Sequence, residues 1–225
     1  MPAAVSEGAL SKRLRAVLEA AGGVFNTLAD IGTDHGYIPI FAVKRGIARR
    51  AVACDLNAVP LKKAAENARL CGLAHIIETR AGYGLSALAP GEADCIVISG
   101  MGGLLMIDIL REGAEAARAA SRLVLQPQRD IPHVRRFLRE AGFGICDEKI
   151  VLDSGKYYFI IICDKNAAED NTPYSGPEYE FGRPLMARKD PLLAEYIRAR
   201  LAKLNAIGAP VASQIELYME ALKCL

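Results

Sequence analysis

The strongest chemical signal in the sequence is a glycine-rich turn with two aspartates, Asp30–Gly36, between a short apolar run and a helical pattern. Glycine lets the backbone approach a ligand closely, and parallel sheets bind ligands at the carboxyl ends of their strands. Asp30 lies two residues before Gly32, where its carboxylate would repel the pyrophosphate of a dinucleotide and suits a cationic amino acid group. The alternative is a structural turn in which an aspartate caps the helix.

A second carboxylate, Asp55, closes the next apolar run. In that position it can accept hydrogen bonds from both ribose hydroxyls of a nucleoside, although it could equally cap the helix that begins near Val59. A nucleoside joined to a cationic amino acid describes S-adenosylmethionine. After the third run, Tyr83 stands where methyltransferases commonly present an acidic residue to adenine, which suggests recognition by stacking or by backbone groups.

A glycine-dense turn, Ser99–Gly103, follows the fourth apolar run and opens a helix. Its glycines indicate close backbone approach at the place where a methyltransferase holds its acceptor, or else only a tight turn between strand and helix. The fifth run ends in Gln126 and Pro127 and is followed by Arg129 and a basic helical pattern that carries His133, Arg135, Arg136 and Arg139.

The elements that position these turns are seven short runs that predict strands: Thr27–Ile31, Ala51–Asp55, Ile76–Arg80, Asp94–Ser99, Leu123–Gln126, Ile145–Leu152 and Tyr157–Cys163. The first five alternate with helical patterns, which predicts a parallel sheet with helices on both faces. The last two are separated only by residues 153–156, which predicts an antiparallel hairpin. The sequence therefore predicts an α/β fold of the class I methyltransferase (Rossmann-like) type, with a mostly parallel seven-stranded sheet, and argues against a dehydrogenase.

The chain after the sheet predicts a small helical unit. Residues 166–177 are polar and suggest a linker between a cofactor-binding domain over 1–165 and a C-terminal helical appendage over 178–225. Two helical patterns, Pro191–Asn205 and Val211–Leu225, form its hairpin or short coiled coil. The second carries an apolar seam that could pair within the chain or between chains, so we expect a monomer or weak dimer; the seam residues are Val211, Ile215, Tyr218, Leu222 and Leu225.

Composition narrows the function classes. The formal net charge of +2 neither demands nor excludes a polyanionic partner, so any nucleic-acid surface must be local. No apolar run approaches the about 20 residues that span a bilayer, and the start shows no leader pattern, so we expect no membrane association and a cytoplasmic protein. The six cysteines are scattered without metal-ligand spacing, so we expect no metal.

Together these motifs resemble the bacterial tRNA (adenine(22)-N1)-methyltransferase family. The resemblance rests on Leu10–Leu14, Ala29–Pro39, Gly100–Gly103, Leu125–Pro127 and Glu180–Leu185. It implies S-adenosyl-L-methionine as methyl donor and N1 of an adenine in the tRNA D-arm as acceptor. Tyr83 and Gln128 depart from the family pattern, which usually has an acidic residue and often Asn at these positions.

These considerations assign each candidate residue a role. Asp34 is the leading candidate for a catalytic carboxylate that stabilises the positive charge on the methylated base, and Tyr37 for a ring that stacks on an extruded adenine. The alternatives are hydrogen bonding within the turn for Asp34 and helix packing for Tyr37. The predicted cofactor-binding residues are Asp30, Gly32, Thr33, Gly36, Asp55, Leu56, Gly82, Tyr83, Gly100 and Met101, and the predicted substrate-binding residues are Gly102, Gly103, Gln126, Pro127, Lys12, Arg13, Arg188 and Lys189.

Three other functions stay open on the sequence alone. The same fold could methylate a small molecule or a protein, a dehydrogenase-like domain could bind NAD, or a degenerate site could belong to a binding protein. The tRNA hypothesis depends on two basic patches, one at Lys12 and Arg13 and one at Arg188 and Lys189. Such patches suit phosphate contacts, but a solvated helix face has the same composition.

Overall fold

The computed structural model describes residues 5–167, 172–207 and 209–225. Its strands, numbered along the chain, are β1 Phe25–Ile31, β2 Ala48–Asp55, β3 Ile77–Ala81, β4 Cys95–Met101, β5 Arg122–Pro127, β6 Ile145–Asp153 and β7 Lys156–Asp164. Its α-helices are α1 Lys12–Ala21, α2 Tyr37–Lys44, α3 Ala58–Leu70, α4 Gly103–Glu112, α5 Ala114–Ala119, α6 Ile131–Glu140, α7 Gly176–Phe181, α8 Arg183–Ala187, α9 Pro191–Ile207 and α10 Ala212–Cys224. Short 3-10 helices cover Glu7–Ala9, Gly84–Ala87 and Ala209–Val211.

The strands form one seven-stranded sheet in the order β3-β2-β1-β4-β5-β7-β6. The pairs among β1 to β5 are parallel, and β7 is antiparallel to both β5 and β6. The chain reverses between β6 and β7 at Ser154 and Gly155, whose φ angles of 51° and 76° fit the tight turn that matches strand twist. The predicted fold class and the predicted hairpin are confirmed.

The amino ends of four strands, β1, β2, β5 and β7, extend beyond the predicted runs, and the extension is longest in β2. β2 starts at Ala48, whereas the predicted run starts at Ala51. The prediction missed these residues because Arg49 and Arg50 are exposed and charged, so they interrupt the apolar pattern. Arg50 nevertheless pairs with Thr27 of β1, so the backbone ladder continues where the side chains face solvent. Hydrophobic periodicity therefore located the buried part of each strand and missed its solvated end.

Two apolar clusters cover the two faces of the sheet. One lies under α4, α5 and α6 and includes Ile96, Met106 and Leu138, all fully or nearly fully buried. The other lies under α1, α2 and α3 and includes Leu18 and Phe41. Helices on both faces shield the parallel strands and leave the carboxyl edge of the sheet for the turns between strands and helices.

The C-terminal helices pack against the β6–β7 end of the sheet through a third cluster. Phe159 of β7 lies in this cluster with Phe181, Leu193 and Ile197. The five predicted seam residues belong to it or pack against it; Tyr218 is buried and Val211, Ile215, Leu222 and Leu225 are partly buried. The predicted domain boundary at residue 178 falls inside α7, and residues 1–4 and 168–171 of the predicted domain and linker lie outside the described residues.

Candidate active site

The turn after β1 is held against the end of β2 by its backbone. The amides of Gly32 and Thr33 both donate to the carbonyl of Cys54, at 2.9 Å each. Gly32 has φ 76°, and a Cβ at this position would lie 2.8 Å from the methyl carbon of Met101. Gly36, at φ 70°, lies close against Ala64 of α3. Backbone conformation therefore favours glycine at both positions, and close approach to Ala64 favours it further at Gly36.

Asp30 is a buried carboxylate beneath this turn, with 5% of its surface exposed. Burial raises the pKa of Asp30 to about 6, and the negative charge of Asp55 acts in the same direction. The Thr33 hydroxyl and the positive charge of Arg13 partly oppose this rise. A cationic ligand group beside Asp30 would stabilise its ionised form, so the site favours a ligand with an ammonium group.

Asp55 and two exposed side chains form the next part of the edge. One carboxylate oxygen of Asp55 accepts the amide of Asn57 at 2.7 Å, which closes a local turn before α3. Leu56 is 64% exposed and Tyr83 is 37% exposed, both unusually open for large apolar or aromatic side chains. Gly82 lies tight against Ala87, where a Cβ would come within 2.9 Å of that residue's methyl carbon. The edge therefore offers a carboxylate oxygen and apolar surface suited to a nucleoside.

The glycine turn after β4 meets the loop after β5. The amide of Gln128 donates to the carbonyl of Met101 at 2.8 Å, and the amide of Gly103 donates to the carbonyl of Arg129 at 3.1 Å. A Cβ on Gly103 would lie 2.6 Å from that carbonyl oxygen, so only glycine fits there. Gly100 has φ 85° and lies next to the side chains of Arg13 and Gln128.

Arg13 joins these two strand ends in a way that the sequence did not indicate. Its Nη1 donates to the Ser99 hydroxyl at 3.1 Å and to Oε1 of Gln126 at 2.8 Å. Its backbone amide donates to the Asp153 carboxylate at 2.9 Å, and its guanidinium lies 5.6 Å from the centre of the Tyr158 ring. We predicted a phosphate contact for Arg13, but the structure places its guanidinium inside the site, against neutral polar groups.

Gln126 is fully buried and Pro127 is buried behind it. The carboxamide of Gln126 accepts from Arg13, and its Nε2 donates to the carbonyl of Pro127 at 3.0 Å. A fully buried side chain cannot touch a substrate in this conformation, so Gln126 supports the site from behind. Gln128 stands in front of it, where its Oε1 accepts from Lys156 at 3.1 Å.

The two predicted catalytic residues lie at the start of α2. The Asp34 carboxylate is exposed and lies 3.1 Å from Nε2 of His35. The ring of Tyr37 stacks on His35, with centroids 5.2 Å apart and planes 16° apart. Tyr37 also packs partly against the apolar cluster beneath α1 to α3, which is the packing role that we considered as its alternative.

The two predicted basic patches lie far apart. Lys12 is exposed at the start of α1, next to the β6–β7 turn, where Arg13 binds Asp153. Arg188 binds Asp147 near the other end of β6, about 20 Å away at the usual rise of a strand. Arg188 also contacts Asp190 and the carbonyl of Glu148, so its charge is largely matched within the protein. Lys189 beside it is exposed, with φ 54°.

A separate cavity of about 330 Å³ lies at the opposite edge of the sheet, and its lining includes Arg118, Phe143, Cys163 and Tyr174. It contains none of the predicted site residues. Among the described residues, no group of three or more His, Cys, Asp or Glu side chains could hold a metal ion. No helix in the described part of the chain combines the length and apolar character needed to cross a membrane.

The chemistry of the carboxyl edge fits S-adenosylmethionine residue by residue. Buried Asp30 suits its ammonium group, Asp55 suits its ribose hydroxyls, and Leu56 and Tyr83 provide apolar surface for its adenine. The backbone of Gly32 is open to close approach beside the junction of β1 and β4, where the strand order reverses, which is the topological switch point of the sheet.

Comparison with known proteins agrees with this geometry. Residues 10–161 match a family model described as a methyltransferase domain. The chain is 37% identical over 176 residues to the tRNA (adenine(22)-N1)-methyltransferase of Bacillus subtilis, covering 76% of this chain and 73% of the relative. The crystal structure of the B. subtilis m1A22 tRNA methyltransferase superposes with a TM-score of 0.83 at 29% identity, covering 95% of this chain and 98% of that one.

A second solved structure bears on the cofactor. Streptococcus pneumoniae Sp1610, crystallised in complex with S-adenosyl-L-methionine, superposes with a TM-score of 0.82 at 29% identity. The superposition covers 96% of this chain and 97% of that one. Both structural matches extend over the C-terminal helices as well as the sheet.

Proposed function

The chain belongs to the tRNA (adenine(22)-N1)-methyltransferase family, and from this premise we propose that it transfers the methyl group of S-adenosylmethionine to N1 of adenine 22 in tRNA. The family resemblance drawn from the sequence motifs is thus confirmed. The observation that carries the proposal is the convergence of Asp30, Asp55 and the glycine turn Gly100–Gly103 at one edge of the sheet. That arrangement lets a methyl donor and its acceptor share one site.

We propose that two parts of S-adenosylmethionine bind at the ends of two strands, its amino acid part after β1 and its nucleoside part after β2. Ionised Asp30 would hold the ammonium group, and the backbone of Gly32, Thr33 and Gly36 would leave room for the chain that follows it. The free acceptor capacity of Asp55 would fix the ribose, with Leu56 and Tyr83 against the adenine. When bound, S-adenosylmethionine supplies a sulfonium methyl group with a good leaving group, so the protein needs no covalent intermediate.

The acceptor residues would align the adenine rather than activate it. N1 carries a lone pair once its base pair is opened, so alignment supplies much of the rate enhancement. An adenine inside a helical arm must leave the stack to reach the site. We propose that it enters beside Gly100, Met101 and Gln128, with Tyr37 against its ring.

Asp34 is the proposed catalytic carboxylate. Methylation leaves positive charge on the base, and an exposed carboxylate at the start of α2 can stabilise this charge or accept the N6 proton. Asp34→Asn should lower kcat about 100-fold or more and leave the Kd for S-adenosylmethionine unchanged. Single-turnover assays and calorimetry measure the two quantities, with Asp108→Asn as a control at an exposed aspartate on α4. Full turnover by Asp34→Asn would remove it from the chemistry.

The test of the proposed function is transfer of a labelled methyl group from S-adenosylmethionine to unmodified bacterial tRNA. N1-methyladenosine in digested tRNA would support the reaction and the substrate class together. Cofactor binding without transfer to tRNA would instead direct attention to small-molecule or protein acceptors. We also propose that the protein acts in the cytoplasm as a monomer or weak dimer, because its apolar seam packs within the chain and leaves four of its five residues partly exposed.

A further inference from the structure

Some basic side chains of α6 and of the loop before it are buried within the protein, and others are exposed to solvent. Arg135 is fully buried and binds Glu148, and Arg139 is half-buried and donates to the carbonyl of Thr172. Arg129, His133 and Arg136 are exposed, and they follow one another at spacings of four and three residues. The three-residue spacing places His133 and Arg136 along one face of α6, whereas Arg129 lies before the helix and is separated from it by Asp130, whose φ is 57°.

Arg129 lies at the lip of the acceptor site. Its Nε passes over Gly102, so closely that a Cβ at Gly102 would lie 3.0 Å from it. The side chain is 79% exposed, and the Asp130 carboxylate is 3.6 Å away, beyond hydrogen-bonding distance. The glycine turn therefore leaves room for a guanidinium whose donors face solvent beside the place where the acceptor base enters.

Arg136 continues the exposed face one turn beyond His133. Its guanidinium stacks on the ring of Tyr179 in α7, with the central carbon 4.2 Å from the ring centroid. A stacked guanidinium loses less side-chain freedom when it binds an anion, because the ring already fixes its plane. Glu140, the last residue of α6, is exposed and negatively charged, so the run of exposed basic residues ends before it.

We infer that Arg129, His133 and Arg136 form a track for the RNA backbone that leads from the acceptor site towards α7. The inference rests on the proposed function, since an adenine extruded into the site brings its flanking phosphates to the lip where Arg129 lies. It also differs from the two predicted patches, because Arg13 and Arg188 donate hydrogen bonds to groups of the protein, whereas Arg129, 79% exposed beside the Asp130 carboxylate, and Arg136, exposed on the Tyr179 ring, keep guanidinium surface open to solvent.

The test compares Arg129→Gln/Arg136→Gln with a control of equal charge change, Arg49→Gln/Arg69→Gln. Both control arginines are exposed and lie away from the carboxyl edge, at the start of β2 and the end of α3. The affinity for unmodified tRNA is measured by filter binding at several salt concentrations, and the Kd for S-adenosylmethionine by calorimetry.

Loss of two phosphate contacts should reduce the slope of log affinity against log salt by about 1.4 to 1.8. Between 1 M and 0.1 M salt, the ratio of wild-type to variant affinity should therefore change by about 25- to 60-fold. The control and the cofactor Kd should stay at wild-type values. Arg129→Gln alone should give about half the change in slope, so the inference can be tested even if the double variant folds poorly.

Wild-type slope and affinity in the track variants, together with methylation of tRNA by the wild-type protein, would overturn the track and leave the proposed function standing. If the wild-type protein neither binds nor methylates tRNA, the proposed function fails and the track fails with it.

Discussion

Burial of the Asp30 carboxylate lowers the stability of the folded protein, and we propose that the same carboxylate binds the ammonium group of S-adenosylmethionine. Its carboxyl has an ordinary pKa near 3.8, and burial raises this pKa to about 6 in the folded protein. The folded state therefore holds the proton more tightly than the unfolded state. Below about pH 3 both states are protonated and nothing is lost, but as the pH rises from about 3 to 6 the stability falls because an ionised carboxylate must stay buried.

Asp30→Asn should therefore stabilise the ligand-free protein. The expected gain in the free energy of unfolding is near zero at about pH 3 and about 1–3 kcal/mol at about pH 7.5, since each pH unit between the two pKa values corresponds to about 1.4 kcal/mol. The same change should weaken S-adenosylmethionine binding about tenfold or more, because a charge-assisted bond is lost. Urea unfolding at both pH values and calorimetry test the pair of effects. A gain that is equal at both pH values would contradict the ionisation argument.

Arg13 acts on the site through Ser99 and Gln126, at the ends of β4 and β5. Arg13→Lys keeps the charge but removes Nη1, the one atom that donates to both groups, and leaves the buried Oε1 of Gln126 with the longer contact from the Ser99 hydroxyl, at 3.4 Å. We expect a loss of about 1–2 kcal/mol in the free energy of unfolding. We also expect a fall of about tenfold to a hundredfold in kcat, because the acceptor loops lose their alignment.

Urea unfolding and single-turnover methyl transfer measure these effects, and Arg15→Lys, two residues further along α1 and exposed, is the matched control. Equal behaviour of the two variants would show that Arg13 does not position the site.

Sequence reasoning found Asp30 and Asp55 because each ends a strand. It gave Arg13 another role because its partners lie 86 and 113 residues away, which leaves no local pattern.

At the scale of elements, one buried ion pair ties the C-terminal helices to the sheet. Arg135 of α6 and Glu148 of β6 are both fully buried, with Nη2 and Oε2 2.7 Å apart. Nη1 of Arg135 also donates to the carbonyls of Tyr179 and Glu180 in α7, at 2.8 and 2.7 Å. The pair thus connects the helix behind the acceptor loop, the last strand of the sheet edge and the first C-terminal helix.

Glu148→Gln should destabilise the protein by about 3–5 kcal/mol, because it leaves the Arg135 charge buried without its counter-charge. Thermal and urea unfolding measure the loss, with Glu112→Gln at an exposed glutamate as control. A change below about 1 kcal/mol would mean that the carbonyls of α7 alone satisfy Arg135.

The strands were predictable at this scale and the C-terminal junction was not. Apolar runs and glycine turns located the seven strands and the hairpin, because burial imposes a local pattern. Arg135 was read as part of a basic helical surface, since a buried arginine and an exposed one have the same letter. The predicted start of the appendage at residue 178 cut through α7, whose first residue is Gly176, because a capping box formed by Ser175 and Glu178 begins the helix earlier.

At the scale of the whole molecule, the order of the strands in the sheet determines which turns lie together at its carboxyl edge. β1 and β4 are neighbours at the centre of the sheet, and the turns after β1, β2, β4 and β5 meet at its carboxyl edge. The proposed donor residues follow β1, β2, β3 and β4, and the proposed acceptor residues follow β4 and β5. α1 contacts the β6–β7 turn through Arg13 and Asp153, next to the ends of β4 and β5. This sheet order places the proposed donor and acceptor residues side by side.

The most direct test of this account is the position of the methyl group on the RNA. Purified protein, S-adenosylmethionine and an unmodified tRNA with adenine at position 22 are compared with the same tRNA carrying guanine there, and nucleosides are identified by mass spectrometry after digestion. The account predicts N1-methyladenosine in the first tRNA and none in the second. Equal methylation of both tRNAs, or a methyl group on another atom of the base, would contradict it.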